Sequence, residues 1–198
     1  MDAPAPTADC VSRCRGTVCV RPFRDADIEP LAAAVQASLD DLRPWLPWAH
    51  AAYDRAEART WVESRPTAWA NGEAYSFAIV HARTDRFLGG VGINRIDGPN
   101  RVGNLGYWVR TEATGRGVAT TAACLAATIG VEEIGLRRLD ILVPVENEAS
   151  RRVAEKIGAT AEGTLRNRLR VGGTAHDAVL YGLLPEALPD RVPTAVRS

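Results

Sequence analysis

Lysine is nearly absent from this chain: Lys156 is the single one among 24 basic residues, and the rest are arginine. The bias fits GC-rich codon usage and points to no mechanism. No charge of either sign is in excess, since 24 acidic residues balance the basic ones. That balance excludes the broad basic footprint of a general nucleic-acid or membrane-surface binder and leaves a local patch open. No apolar run is long enough to span a membrane; the most apolar stretch, 119–130, is short and broken by threonine. Residues 1–15 carry no apolar core after a basic start, so no signal peptide is expected and the chain is read as cytoplasmic. Cysteines number four. Cys10, Cys14 and Cys19 crowd the N-terminus without a fourth ligand at a metal-binding spacing, so no metal is expected; they are read as thiols on a loose tail and first strand. Cys124, inside an apolar helix, is read as core packing. No internal repeat is visible.

What is present fits one globular domain. The chain has 198 residues, 46% hydrophobic and 24% charged, enough for one substantial core. Residues 1–16 are rich in Ala, Pro and Asp without periodicity, and 185–198 hold three prolines; both are read as tails around a domain at 17–184. Alternation predicts strands at 17–22, 75–82, 87–96, 104–110, 136–143, 161–171 and 175–184. Helical spacing predicts 26–39, capped by Asp25, then 53–71, 118–130 and 147–156. Gly172-Gly173 is a hairpin signal between the last two strands. The expected fold is a mixed α/β domain.

The segment Thr114-Gly115-Arg116-Gly117-Val118-Ala119 lies between a strand and an apolar helix. Its glycines permit close ligand approach, and the first N–H groups of the helix lack partners, so a phosphate or pyrophosphate is favoured there. The Walker pattern is absent because no Gly-Lys-Ser/Thr follows, and the dinucleotide-binding glycine spacing also fails. Taken alone, the segment is equally compatible with a plain tight turn.

Context extends this reading. The strand Asn104-Leu105-Gly106-Tyr107-Trp108-Val109, the glycine loop, and Val145-Glu146-Asn147-Glu148-Ala149-Ser150 running to Glu155-Lys156-Ile157-Gly158-Ala159 resemble the GNAT acetyltransferase superfamily. The resemblance is strongest to bacterial ribosomal-protein N-terminal acetyltransferases that modify an alanine or serine α-amine. Residues 89–97, 177–184 and the tryptophan loop 43–48 look like the same subgroup, so the likeness spans roughly 17–184. It implies a mostly antiparallel sheet of about seven strands flanked by helices and splayed between the fourth and fifth. It implies acetyl-CoA as cosubstrate, with its pyrophosphate on the main chain of Gly115, Arg116, Gly117, Val118, Ala119 and Thr120. The pantetheine arm is expected between Trp108–Val109 and the strand at 139–143, with Asn147 contacting it. Thr114 stands where the family usually has Gln or Arg.

The chemistry asks for three groups: a proton acceptor for the amine, a donor for the tetrahedral oxyanion, and a partner for the leaving thiolate. A strand N–H near Val109 suits the second. Ser150 matches the subgroup serine proposed for the third; the tyrosine that many GNAT enzymes place four residues later is Ala154 here. Ser150 as a plain helix residue is the competing reading. Asn104 replaces the glutamate that serves many relatives as base, and Glu162, His50 and Asp177 are the substitutes considered. Trp45, Pro47 and Trp48 either line the acceptor side or staple the helix pair, and Asn94 and Arg95 are further acceptor candidates. The acceptor itself is read as a protein N-terminal amine, with a small amine such as an antibiotic or polyamine as alternative, and a non-catalytic acyl-CoA sensor as a third reading. A homodimer is left open.

Overall fold

Buried alternation and turn residues account for the strands. The computed structural model, which describes residues 11–189, contains β1 (Arg13–Arg15), β2 (Val18–Pro22), β3 (Ala74–His81), β4 (Phe87–Asp97), β5 (Val102–Val109), β6 (Arg138–Pro144), β7 (Thr160–Val171) and β8 (Thr174–Leu183). They form one eight-stranded sheet in the order β1-β2-β3-β4-β5-β6-β8-β7. All neighbours are antiparallel except β5 and β6. The helices are α1 (Ile28–Ala37), α2 (Leu39–Leu42), α3 (Arg55–Ala70), α4 (Val118–Glu132) and α5 (Glu148–Lys156). Among the described residues no helix is long and apolar enough to cross a membrane.

Each sheet face has its own core. On one, Phe77, Ile79, Ile93, Leu105 and Leu139 are buried beneath the nearly all-round apolar α4. On the other, Val80, Ala78 and Phe87 meet Leu31 and Val35 of α1 and Val62 of α3. Each of the larger side chains, Ala78 apart, contributes about 1.5–3 kcal/mol on burial.

Four local expectations need correction. The sheet has eight strands instead of about seven. The extra one, β1, falls inside the segment assigned to a tail, because Val11 is buried in the main core and draws the chain alongside β2. Three residues of alternation are too few to register as a strand. Cys14 and Cys19 face each other across this hairpin and form a disulfide, so they are not free thiols; Cys10 lies outside the described residues. Cys124 is buried in α4 as expected. The first helix starts at Ile28 with Asp27 and not Asp25 in the N-cap position, and no side chain caps it; Asp27 Oδ2 accepts instead from Arg24 N at 2.8 Å and closes the 3-10 turn Asp25–Asp27 ahead of the helix. The same buried carboxylate receives Arg21 at 2.7 and 2.9 Å, with Asp85 completing the set. Burial alone works against the Arg21 charge, but the bonds to Asp27 and Asp85 outweigh it and hold the guanidinium protonated. Finally, Leu188 packs into the core, so the chain beyond 184 begins as structure; residues 1–10 and 190–198 are outside the described region.

The feature that positions the site is a divergence. β5 and β6 pair only at Val102–Arg138, Gly103–Leu139 and Asn104–Asp140. Beyond Asn104, β5 stays on β4 as far as Gly89–Val109, while β6 follows β8 as far as Pro144–Ala178. The two strands therefore leave a wedge between them. It is the expected splay between the fourth and fifth strands, here β5 and β6.

Candidate active site

Four structures converge on the wedge. The first is the edge of β5. Arg110 N donates to Leu88 O at 2.9 Å on the β4 side. By the alternation of an antiparallel ladder, the Val109 N–H is directed to the opposite edge, toward β6. The Trp108 main chain pairs with Gly90 of β4, and its indole lies over that glycine.

The second is the start of α4. Gly117 sits at φ +75° as the residue preceding the helix, a conformation that glycine adopts without the strain a side chain brings. The first intrahelical bond is Thr121 N to Gly117 O, 2.9 Å. The N–H groups of Val118, Ala119 and Thr120 lie ahead of it and end the helix without an intrahelical acceptor. Gly115, Arg116 and Gly117 are exposed. Thr114 hydrogen-bonds Thr111 O at 2.7 Å, and Thr111 is tied in turn to buried Ser38 and to Asp41, so the loop is held against the α1–α2 junction.

The third is the start of α5, on the far side of the wedge. Asn147 caps it: Oδ1 accepts from Ser150 N at 3.0 Å. Ser150 Oγ donates to Tyr107 Oη at 3.2 Å, and Tyr107 Oη donates to the Ser150 carbonyl at 2.9 Å. Burial pushes the Tyr107 phenol up to about 12, the serine bond pulling the other way, so it stays protonated across the physiological range. Tyr107 stands in a motif read for its strand, and its partnership with Ser150 crosses 43 positions of sequence; no local pattern signals it.

The fourth is a cavity of about 720 Å³ opening beside Tyr107 and Trp108, between α3 and the floor of β3, β4 and β5. Its walls are aromatic, with Phe23, Trp48, Tyr53, Trp61 and Trp108. Glu57, on the first turn of α3, is its one carboxylate, and it lies 3.1 Å from His50. Burial, followed by the charge of Glu57, raises the Tyr53 phenol to about 12. Gly106 forms part of the floor, and a Cβ there would meet nothing within 4 Å.

Against this geometry the acceptor candidates divide. Trp48 and Asn94 line the cavity; Trp45, Pro47 and Arg95 do not. Asn94 also pairs with Asn104 across the strands at 3.0 Å. Glu162 is held by Arg138 at 2.7 and 2.6 Å, and that bond keeps its carboxyl below the ordinary range, which suits an ion pair and not a base. Asp177 accepts from Asn167 N at 2.9 Å and fixes a bulge in β7. Of the three base candidates only His50 reaches the cavity, through Glu57. Glu57 escaped the sequence reading because it also looks like an ordinary first-turn acid beside the Asp54 cap. Among the described residues no cluster of three His, Cys, Asp or Glu could hold a metal.

Comparison with known proteins bears on the domain as a whole. Residues 17–160 match the family model described as the acetyltransferase (GNAT) domain. The chain is 32% identical over 169 residues to YdaF of Bacillus subtilis, a proposed ribosomal N-acetyltransferase, covering 84% of this chain and 91% of that protein. It is 25% identical over 154 residues to the ribosomal-protein-serine acetyltransferase of Escherichia coli, covering 78% and 85%. The structure superposes on Mycobacterium smegmatis RimJ in complex with CoA-disulfide with a TM-score of 0.81 at 27% identity, covering 88% of this chain and 85% of that one.

Proposed function

The chain belongs to the GNAT acetyltransferase family and is an acetyl-CoA-dependent N-acetyltransferase; we propose that its acceptor is the α-amine of a protein or peptide. The observation that carries this reading is the cavity, aromatic on its walls and with Glu57 as its one carboxylate. A single acid suits a single ammonium. A polyamine carries several charges and calls for several acids, since charge is costly to desolvate without a partner. Two of the relatives are named for ribosomal acceptors, which adds support.

In this reading the amides of Val118, Ala119 and Thr120, the loop Gly115-Arg116-Gly117 and the helix dipole hold the CoA pyrophosphate. Arg116 is exposed and available to a phosphate. The unpaired edge at Trp108–Val109 receives the pantetheine arm in strand fashion, and Asn147, whose Oδ1 is committed to its cap, offers its Nδ2. Acetyl-CoA supplies the activated acetyl group. Glu57, with His50 behind it, draws the ammonium in and accepts its proton, and the neutral amine then attacks the carbonyl carbon. The Val109 N–H donates to the oxyanion that forms. Ser150 Oγ turns its hydrogen from Tyr107 to sulfur, donates it as the C–S bond breaks and takes up the proton that the acetylated nitrogen sheds, while Tyr107, which stays protonated, borders the serine on one side. The net change is one N–H replaced by N–acetyl and one S–H formed.

A panel of amines tests the reading, with products identified by mass. Peptides beginning with Ser or Ala should be acetylated on their first nitrogen, with kcat/KM well above that of spermidine or an aminoglycoside. The Glu57→Gln variant should lose rate on all peptides and recover part of it at higher pH, where solvent deprotonates the amine. Preference for polyamines, or acetylation confined to side-chain amines, would contradict it.

A further inference from the structure

Resting on the reading of a protein acceptor, we propose that the outer edge of β7 binds an acidic segment of the acceptor chain downstream of its amine. β7 is the last strand of the sheet, so the backbone groups along its outer side pair with no strand among the described residues. This edge, twelve residues long with register breaks near Glu162 and Asn167, is open to an added strand along its regular stretches. Nearly all of it is exposed.

Its charge is one-sided. Arg166, Arg168 and Arg170 are exposed, and none forms an ion pair among the described residues. The acid on the same strand, Glu162, is already taken by Arg138. Across the hairpin, the Asp177 carboxylate is occupied by Asn167 N, and Glu146 lies 3.9 Å from His176. Asp177 is thus the one nearby carboxylate, and it forms an ion pair with none of the three arginines among the described residues; a partner bearing further carboxylates supplies their counter-charge.

Position links this edge to the active site. Leu165 of β7 pairs with Ala178, and Ala178 pairs with Pro144 of β6, the residue where the wedge is widest. The β7 bulge at Asn167 follows, one strand removed from the turn that carries Asn147 and Ser150; Val145 N donates to Asp177 O, the same residue that caps Asn167. An extended chain whose amine meets the thioester beside Tyr107, which borders both cavity and wedge, can pass the α5 turn and continue along the Arg166–Arg170 stretch. A second copy of this protein is the less suitable occupant of this stretch, because antiparallel pairing of two β7 strands centred on it sets their arginine runs against each other.

The test uses the full-length protein and two labelled peptides that share their first four residues, Ser-Ala-Ser-Ala, and continue with either alternating Glu or alternating Gln. Equilibrium binding and acetylation are both measured, at low and at moderate salt. The acidic peptide should bind about tenfold tighter and show a correspondingly lower KM, with kcat alike for both; the advantage should shrink as salt screens it. Replacing Arg166, Arg168 and Arg170 together with Ser should abolish the preference and leave turnover of the Gln peptide unchanged. Replacing them with Glu should reverse it in favour of a Lys-containing peptide. Equal binding of the two peptides by the parent, or a preference that survives the triple Ser variant, overturns the proposal. So does a dimer that the triple variant dissociates, or an RNA oligonucleotide whose binding depends on the three arginines while the peptides are not distinguished. Failure of the protein-acceptor reading shows separately, as binding without acetylation of either peptide.

Discussion

Tyr107 and Ser150 hold each other by two hydrogen bonds in opposite directions, 3.2 and 2.9 Å long. That reciprocity decides what a substitution does. Removing the hydroxyl in Ser150→Ala deletes the group placed to protonate the thiolate and leaves the tyrosine its bond to the main chain. Turnover should fall by about ten- to a thousandfold, the scope of one proton-transferring group. The KM for acetyl-CoA should barely change, since its binding rests on main-chain amides elsewhere; that pattern marks an interaction made mainly in the transition state. Tyr107→Phe should cost less, because the serine keeps its proton and loses only its alignment. Steady-state kinetics on the best peptide checks both, and parental kcat in Ser150→Ala would leave Ser150 as a structural residue. The serine could be read from its local motif. Tyr107 and Glu57 could not, because the contacts that give them a part to play are made by the fold between residues far apart in sequence or by a cavity that exists only once α3 lies on the sheet.

At the scale of elements, the legible parts were those with a long period or a glycine at a turn. The apolar face of α4, the Gly172-Gly173 hairpin, at φ +56° and +85°, and the buried run of β6 all formed close to where their patterns put them. β1 and the Cys14–Cys19 disulfide were not legible, since three residues and a pairing choice carry no periodic signal. The α4 start gives the most direct test of an element. Gly117 has φ +75° and open space around a would-be Cβ, so Gly117→Val meets no clash and the whole penalty is backbone. That penalty is about 1–2 kcal/mol and is relieved when the loop leaves the left-handed conformation. Doing so turns the Arg116, Gly117 and Val118 amides away from a common anion. Calorimetry should show CoA affinity reduced at least tenfold while the thermal unfolding transition stays cooperative; unchanged affinity would mean that the amides are not the phosphate site.

The whole molecule joins two half-sites across one strand. On one side of β5 lies the wedge bounded by Val109, Gly117 and Ser150; on the other side lies the aromatic cavity with Glu57, and Tyr107 borders both. The central claim is that the wedge takes the thioester and the cavity takes the amine. Gly106→Val separates them. The position is a strand floor in the cavity, its φ is unstrained, and a Cβ meets nothing within 4 Å, so a β-branched residue fits the strand and fills the space an acceptor needs. The measurement is paired: calorimetry with CoA, and acetylation of a Ser-initiated peptide followed by mass. The account predicts parental CoA affinity with peptide turnover lost or reduced by at least a hundredfold. Parental turnover of the peptide by Gly106→Val, with CoA bound as before, would contradict it.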